Sequence, residues 1–431
     1  MRRWELLLAP LCGVLLTLAL APFDLKPLAP VALALFFWLQ ERSTHWRRAA
    51  LLAWLMLSAH FVSGVYWIYI STHIYGGAAA WLGVLLCVAL LTVYMPLFPV
   101  PLFALLRWRA LPAWAGWMAM PAVFTLGEMM RGHVLWKGFA WLCLGDAALD
   151  TPLARLVPIV GVHGITLVIA LSGYALYRLV ADRRLSARVR ALMILVAPPA
   201  LCLLLPAGGS WTQDSGAPLT AAIVQPDVLQ EDKWQEDMQM PILQRHLDLT
   251  RSVLGADLIV WPEVSLTQPY HLLAPYVLPL LDREARAANS ALIFGVVIRD
   301  DDSGGYYNSV LALGAASGRY NKRHLVPFGE YFPIPDFIRP LLDVLGTPYS
   351  DFLVGREDQP PLAAKNQQLG IYICFEDVFG NEFRTRARGT TLSVSVTNDA
   401  WFGHSGAAAQ HLAMGRMRSL ETGRMTLRAS N

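Results

Sequence analysis

Residues 156–178 read LVPIVGVHGITLVIALSGYALYR, an apolar run that contains no acidic residue and has its only arginine at its end. The hydrocarbon core of a bilayer is about 30 Å thick, so a helix needs about 20 mostly apolar residues to cross it. This stretch is long enough, and the first half of the chain holds several similar runs. We therefore expect about seven membrane spans, near residues 5–22, 28–40, 49–70, 78–100, 111–130, 156–178 and 190–206.

The composition indicates two chemically different halves. The 431 residues are 55% hydrophobic and only 16% charged, against about 25% charged residues in typical soluble domains. Residues 1–207 hold 16 Lys and Arg against 7 Asp and Glu, whereas residues 208–431 hold 19 against 25. This composition excludes a disordered chain, a disulfide scaffold and an ordinary cytosolic enzyme. We predict a membrane domain over 1–207, a linker over 208–218 and a water-compatible domain over 219–431.

Arginine and lysine indicate how the spans are oriented. With the N-terminus in the cytoplasm, twelve of these residues lie in cytoplasmic segments and four lie outside, which follows the positive-inside rule. Seven crossings then place everything after residue 207 on the outer face. Topology accounts for the basic loops, and the sequence shows no signature of nucleic-acid binding.

The second half alternates between short β-branched runs and helical spacing. Predicted strands cover 219–225, 256–263, 291–298, 306–314, 369–375 and 390–398. Helical spacing covers 235–253, 272–289 and 407–422. Strands alternating with helices predict an α/β or α+β sandwich in which helices cover the sheet.

Cys374 is the only cysteine in the predicted outer domain; the others, Cys12, Cys87, Cys143 and Cys202, lie in the predicted membrane domain. One thiol cannot form an intradomain disulfide, and no Cys/His cluster with zinc-ligand spacing accompanies it. Such a thiol is either buried and inert or retained for its reactivity. Its position at the end of a predicted strand favours reactivity.

Three short segments place chemically active side chains beside strand ends. They are Trp261-Pro262-Glu263, the run YNKRHLVPFGE over 320–330, and Cys374-Phe375-Glu376. Alone, Glu263 would more often be a turn residue or helix cap, and Lys322 a solvated charge. A complete set of Glu263, Lys322 and Cys374 in this order favours an active site instead.

This ordered trio resembles the catalytic set of the nitrilase superfamily. The whole chain resembles one membrane-bound branch, the apolipoprotein N-acyltransferases. Further matching segments are 127–132 (GEMMRG), 224–226 (VQP) leading to Trp234, 397–403 (TNDAWFG) and 411–421 (HLAMGRMRSLE). The resemblance implies a polytopic α-helical membrane domain followed by an α-β-β-α nitrilase-like sandwich. It places that sandwich in the periplasm, on the bacterial inner membrane, and implies that the chain lacks the family's C-terminal end and last membrane helix.

The resemblance also implies a reaction. Cys374 attacks an ester of a phospholipid, the sn-1 acyl of phosphatidylethanolamine, and forms a thioester. The α-amino group of an apolipoprotein's S-diacylglyceryl-cysteine then takes the acyl chain in a ping-pong sequence. Glu263 acts as general base and Lys322 stabilises the tetrahedral oxyanion. No metal or cofactor is expected, and the chain is expected to act as a monomer.

Five further residues have supporting roles by resemblance. Glu330 and Glu376 match family acids that orient the lysine and the thiol. Trp234 matches an aromatic residue on a mobile loop near the entry, although a packed role is equally common for tryptophan. Asn308 is expected to aid the oxyanion site. Phe375 stands where many relatives have tyrosine, so it keeps an aromatic wall without the hydroxyl.

Two other classes of function compete with the acyltransferase. A membrane-tethered nitrilase-type amidase or hydrolase would use water as acceptor and release a free acid. A transporter or scaffold would need no catalytic set, and the few charges within the spans are untypical of transporters. Products distinguish the two enzymes, and loss of activity on replacing Cys374 or Lys322 distinguishes both from a non-enzyme.

Overall fold

The computed structural model describes residues 3–108, 116–135, 138–205, 211–213, 217–332, 337 and 351–431. The chain forms two compact units. The first comprises Met1–Tyr69, Ala80–Gln213 and His404–Gly423, and the second comprises Ile70–Ala79, Asp214–Gly403 and Arg424–Asn431. Each unit therefore takes a segment from the other half of the chain. The domain boundaries expected around the linker 208–218 stay a prediction. Residues 208–210 and 214–216 of that linker lie outside the described part.

The helices fall into an apolar set from the first half of the chain and an amphipathic set from the second. In chain order they are α1 (Arg3–Leu18), α2 (Leu28–Glu41), α3 (Trp46–Val65), α4 (Ala80–Val88), α5 (Pro99–Trp108), α6 (Ala119–Arg131), α7 (Val157–Ala181), α8 (Leu185–Leu204), α9 (Gln239–Ser252), α10 (Tyr270–Leu273), α11 (Val277–Ala287), α12 (Gly380–Ala387) and α13 (Ala407–Thr422). Among the described residues, four helical stretches are long and apolar enough to cross a membrane: Trp46–Val65, Ala80–Leu97, Pro152–Ala181 and Leu185–Leu204. Trp4–Leu18 and Leu28–Glu41 are shorter apolar helices. The count of seven spans stays a prediction, and residues 111–115 and 206 of those spans lie outside the description.

The span predicted over 78–100 is interrupted where its prolines stand. After α4, the chain passes through a π-helical turn, Ala89–Tyr94, and a 3-10 turn, Met95–Leu97, before α5 begins at Pro99. Proline lacks the N–H that an α-helix requires at interior positions. The expected stop or kink is confirmed.

A buried hydrogen-bond network joins α6 to α7 in the first unit. The Glu128 carboxylate accepts from Thr166 Oγ1 at 2.6 Å and from the backbone N–H of Leu144 at 2.8 Å, and His163 Nδ1 lies 3.2 Å away. Arg131 donates to two backbone carbonyls, each at 2.6 Å. Buried polar groups need such partners because they have lost water. These residues hold the helices together.

Helix α13, predicted from the sequence with the bounds observed, belongs to the first unit and not to the layers over the sheets. Gln410 accepts a hydrogen bond from Trp141 Nε1 at 2.7 Å and donates to the carbonyl of Gly64 at 3.0 Å. Both partners lie in the apolar first half of the chain. Helix α13 belongs to the first unit because the polar side chain of Gln410 has its buried hydrogen-bond partners in that unit.

The second unit contains two five-stranded sheets. The strands are β1 (Ala221–Ile223), β2 (Leu258–Val260), β3 (Ala291–Arg299), β4 (Tyr306–Gly314), β5 (Ala316–Ser317), β6 (Arg319–Asn321), β7 (Leu362–Ala364), β8 (Gln367–Ile373), β9 (Leu392–Thr397) and β10 (Thr426–Ser430). The sheet orders are β1-β2-β3-β4-β6 and β10-β9-β8-β7-β5. All six predicted strands are present. The four unpredicted strands, β5, β6, β7 and β10, are short and depend on pairing with neighbours.

Successive side chains of β2 pack into two different hydrophobic cores, one on each face of the sheet. Leu258 and Val260 join the core between the sheets, while Ile259 and Trp261 join a second core beneath α9 and α11. Successive side chains of a strand point to opposite faces, so a central strand can serve both cores. On the other sheet, the ring of Phe383 in α12 stacks on Tyr372 of β8 at 3.7 Å. The expected α-β-β-α sandwich is confirmed.

Candidate active site

The three residues of the predicted trio follow the ends of three strands in the second unit. Glu263 follows β2 and Lys322 follows β6, both in the first sheet, and Cys374 follows β8 in the second. Glu263 is 6% exposed and Lys322 is 1% exposed. Lys322 Nζ lies 3.3 Å from Glu263 Oε1, and the Cys374 thiol interacts electrostatically with both. The structure thus brings together three side chains that are far apart in the sequence.

Cys374 occupies an unusual backbone conformation. Its φ is +51°, a left-handed value that residues other than glycine rarely adopt, and it begins a 3-10 turn, Cys374–Val378. The side-chain hydroxyl of Thr397, at the end of β9, hydrogen-bonds the thiol. Such strained residues persist where the surroundings hold them, and they concentrate at functional sites. The turn presents the sulfur at the end of the sheet.

Electrostatics favour the neutral form of the thiol. Burial raises the pKa of Cys374 far above its usual value, and the negative charge of Glu263 raises it further. Lys322 acts in the opposite direction but does not outweigh them. The resting nucleophile is therefore a thiol, and it must lose its proton when it attacks.

Lys322 remains charged because two acids face it. Burial alone would lower the pKa of Lys322, but Glu263 and Glu330 outweigh burial and raise it. Glu330 lies 2.9 Å from Lys322 Nζ and also accepts a hydrogen bond from the backbone N–H of Val326 at 2.8 Å. These two contacts hold the Glu330 carboxylate against the lysine, and its expected orienting role stays a prediction.

Asn308 lies between the two acids. Its Nδ2 donates to Glu263 Oε1 at 2.8 Å and to Glu330 Oε1 at 2.9 Å, so both amide hydrogens have acceptors. Within the described residues its Oδ1 is buried without a partner. The sequence placed Asn308 at the oxyanion site. That role stays a prediction, and the observed hydrogen bonds hold the two carboxylates around Lys322.

Glu376 is bonded on several sides. Its carboxylate accepts from the backbone N–H groups of Ile373 and Arg323, each at 2.9 Å, and from Tyr320 Oη at 2.7 Å. It also forms an ion pair with Arg386 at 3.2 Å. Glu376 thereby joins the turn that carries Cys374 to the segment that carries Lys322.

The two aromatic residues of the predicted set lie in different environments. Phe375 is buried and packs edge-on against His324 and Phe379, with ring centroids 5.6 and 5.0 Å apart. Trp234 is 54% exposed, in the irregular segment between β1 and α9. The expected mobility of the Trp234 loop stays a prediction.

Sequence reasoning missed Lys233 and Thr397. Lys233 is buried, and its Nζ donates to the backbone carbonyl of Glu263 at 3.2 Å. It stands among acidic residues in the run QEDKWQED (230–237), where a lysine is expected to be solvated. Thr397 had a weak signal, since it precedes Asn398-Asp399 at the end of a predicted strand.

One group of side chains in the first unit has ligand atoms close enough together to bind a metal ion: Glu128, Cys143 and His163. Their polar atoms are already used within the protein. Glu128 accepts the hydrogen bonds described above, and Cys143 Sγ donates to the carbonyl of Ala140 at 3.3 Å. The group is explained by helix packing.

Comparison with known proteins identifies the family. Residues 12–175 match the N-terminal domain of apolipoprotein N-acyltransferases, and residues 220–431 match the carbon-nitrogen hydrolase family. The apolipoprotein N-acyltransferase of Methylococcus capsulatus is 37% identical over 99% of this chain and 84% of its own length. The chain belongs to the apolipoprotein N-acyltransferase family. The family's enzymes from Azotobacter vinelandii and Pseudomonas putida are 40% and 38% identical, over 83% and 84% of their lengths.

Membership of the apolipoprotein N-acyltransferases makes this protein an acyltransferase that acts in lipoprotein N-acylation, and its apolar helices make it a membrane protein. A CN-hydrolase superfamily protein of Xanthomonas campestris is similar in structure, with a TM-score of 0.38 and 18% identity over 50% of this chain and 76% of its own. The two family matches support the membrane region and the nitrilase-type sandwich independently of that similarity.

Proposed function

We propose that this enzyme transfers a fatty acyl chain from the sn-1 position of phosphatidylethanolamine to the α-amino group of an apolipoprotein's S-diacylglyceryl-cysteine. The family supports N-acylation of lipoproteins; the donor and the route through a Cys374 thioester are the finer part of the proposal. One observation carries it: the buried Glu263 and Lys322 form a cluster with the half-buried Cys374. A base, a cation and a nucleophile in one place are what acyl transfer requires.

In the first half-reaction Cys374 is acylated. Its thiol gives a proton to Glu263 while sulfur attacks the ester carbonyl carbon, and Lys322 stabilises the negative charge on the carbonyl oxygen. Among the residues that the structure describes, the side-chain hydrogen bonds on the Glu263 carboxylate end on Oε1, which leaves Oε2 to receive the proton. When the tetrahedral intermediate collapses, the C–O bond breaks. The departing lysophospholipid oxygen takes the proton from Glu263.

In the second half-reaction the acyl chain moves to nitrogen. The neutral α-amino group of the apolipoprotein attacks the thioester carbon, and Glu263 takes a proton from that nitrogen. The C–S bond then breaks, an amide remains, and the thiolate of Cys374 recovers a proton from Glu263. One residue serves as base and acid in both halves, so the site returns to its starting state.

The location follows from the substrates and the charge pattern. Both the donor and the lipidated acceptor are membrane-bound, which accounts for a catalytic domain fused to apolar helices. The excess of arginine and lysine in alternate loops supports a periplasmic catalytic domain on the inner membrane. The enzyme is proposed to act as a monomer.

Mass spectrometry of the Cys374 peptide tests the proposal. Purified protein is mixed with vesicles of phosphatidylethanolamine that carries different acyl chains at sn-1 and sn-2, and C374A is the control. We expect a hydroxylamine-sensitive adduct on Cys374 with the mass of the sn-1 chain, and none on C374A. A diacylglyceryl lipopeptide with a free amine should then remove the adduct and become N-acylated.

Each alternative outcome is distinct. An adduct with the mass of the sn-2 chain would overturn the positional assignment, and an adduct only with another phospholipid would overturn the donor. Discharge to free fatty acid at the same rate with and without lipopeptide would favour the hydrolase. Acylation of the lipopeptide by C374A would exclude the thioester route.

A further inference from the structure

We propose that Lys233 is a second cation of the acyl-transfer site, which fixes the main chain at Glu263 and holds positive charge beside the Cys374 thiol. This inference rests on the proposed function and deepens it by adding a positioning residue to the trio. Lys233 lies in the irregular segment between β1 and α9.

The contacts of Lys233 place its ammonium group against the base. The side chain is 3% exposed, and Nζ donates to the backbone carbonyl of Glu263 at 3.2 Å. When the Asn398 amide is turned so that its oxygen faces Lys233, that oxygen lies 3.3 Å from Nζ. Both acceptors are neutral. Lys233 therefore fixes the position of the Glu263 main chain, and neither acceptor cancels the positive charge of its ammonium group.

Lys233 and Lys322 differ in whether a carboxylate lies close enough to pair with the ammonium group. Lys322 has Glu263 and Glu330 within 3.3 Å, whereas in the described part of the chain no carboxylate forms an ion pair with Lys233. Lys233 nevertheless interacts electrostatically with the Glu263 carboxylate and the Cys374 thiol. A buried cation without a bound anion favours any negative charge that forms nearby, here the thiolate.

Lys233 can also lose its charge near neutral pH. Burial lowers the pKa of Lys233 to about 8, although Glu263 and Cys374 act in the opposite direction. His246 of α9 lines the same small cavity; burial lowers its pKa to about 4, so it is neutral there. Its Nε2 is buried and has no hydrogen-bond partner among the described residues. Lys233 therefore changes charge around pH 8, as does Glu376, where burial raises the pKa to about 8; only the Lys233 contribution differs between wild type, K233M and K233R.

Alkylation of Cys374 by iodoacetamide tests this directly. The full chain in detergent is labelled as wild type, K233M and K233R, and mass spectrometry follows the Cys374 peptide at about pH 7 and about pH 9.5. The assay uses neither acyl donor nor acceptor, so its outcome is independent of whether the proposed reaction is correct. A shift of one unit in the thiol pKa changes the thiolate fraction about tenfold.

We expect K233M to react about tenfold more slowly than wild type at pH 7, and K233R to react at nearly the wild-type rate. Above pH 8 the wild-type rate should level off, because Lys233 loses its proton as the thiolate forms. The K233M rate should keep rising, so the tenfold difference disappears by about pH 9.5. K233R should then exceed wild type, since arginine stays charged.

Two results would overturn the proposal. K233M could react at the wild-type rate at pH 7, or the difference could be the same at both pH values, as for a purely structural defect. If K233M does not fold, K233R against wild type decides the question. A faster reaction of K233R above pH 8 supports the proposal, and equal rates at every pH exclude it.

Discussion

The carboxylate of Glu376 accepts a 2.9 Å hydrogen bond from the backbone N–H of Arg323. Glu376 lies two residues after Cys374, and Arg323 directly follows Lys322. These segments extend from different sheets, so one carboxylate sets the distance between the thiol and the lysine. The geometry of the site therefore depends on a residue that need not touch a substrate.

Replacing Glu376 should cost both stability and activity. E376A leaves Arg386 buried without its anion and leaves backbone N–H groups unsatisfied, so we expect a loss of about 3–5 kcal/mol of unfolding free energy. E376Q keeps the shape and should lose less. Thermal unfolding of the purified protein measures the difference. E357Q is the control, because Glu357 is an exposed acid that pairs with Arg323; equal effects of E357Q and E376A would contradict the expectation.

Replacing Glu263 should separate thiol reactivity from acyl transfer. The charge of Glu263 raises the pKa of Cys374, so E263Q should lower that pKa and speed alkylation by iodoacetamide near pH 7. Acyl transfer should instead fall by about 10²–10⁴, because the general base is lost. Labelling and acylation of a lipopeptide are measured on the same sample. E236Q, at an exposed position, should change neither rate; a parallel fall of both rates in E263Q would point to misfolding.

Removing the charge of Lys322 should leave two carboxylates without a cation. K322M leaves Glu263 and Glu330 buried together without their cation, at an expected cost of about 3–5 kcal/mol. Adding E330Q removes one of the two unpaired negative charges, so the double variant K322M/E330Q should recover part of the lost stability. Acylation should remain absent in both variants. Thermal unfolding gives the comparison, and a double variant less stable than K322M would disprove the charge argument.

Helix α13 should stabilise the first unit through Gln410. Q410L removes the hydrogen bonds to Trp141 and Gly64, so we expect a loss of about 1–3 kcal/mol. Q244L, in α9, replaces an exposed glutamine and should leave the unfolding temperature unchanged. Equal unfolding temperatures for Q410L and wild type would mean that these contacts contribute no net stability.

Local sequence signals predicted much of the fold. Apolar runs and the uneven distribution of charge separated a membrane half from a water-compatible half, and six strands were found from their β-branched runs. Strands β5, β6, β7 and β10 were not found, because such short segments are stable only when a neighbouring strand pairs with them. The order of Glu263, Lys322 and Cys374 indicated the site and its chemistry.

What the sequence determined by itself was therefore the set of reactive side chains and the strand ends that carry them, since hydrophobic periodicity and residue type are local properties. Tertiary structure alone decided how those side chains are charged and connected. Asn308 turned out to hold two acids, and Lys233 was found to be buried beside Glu263. These relationships join residues that are distant along the chain, and burial sets the protonation of each group only once the chain has folded.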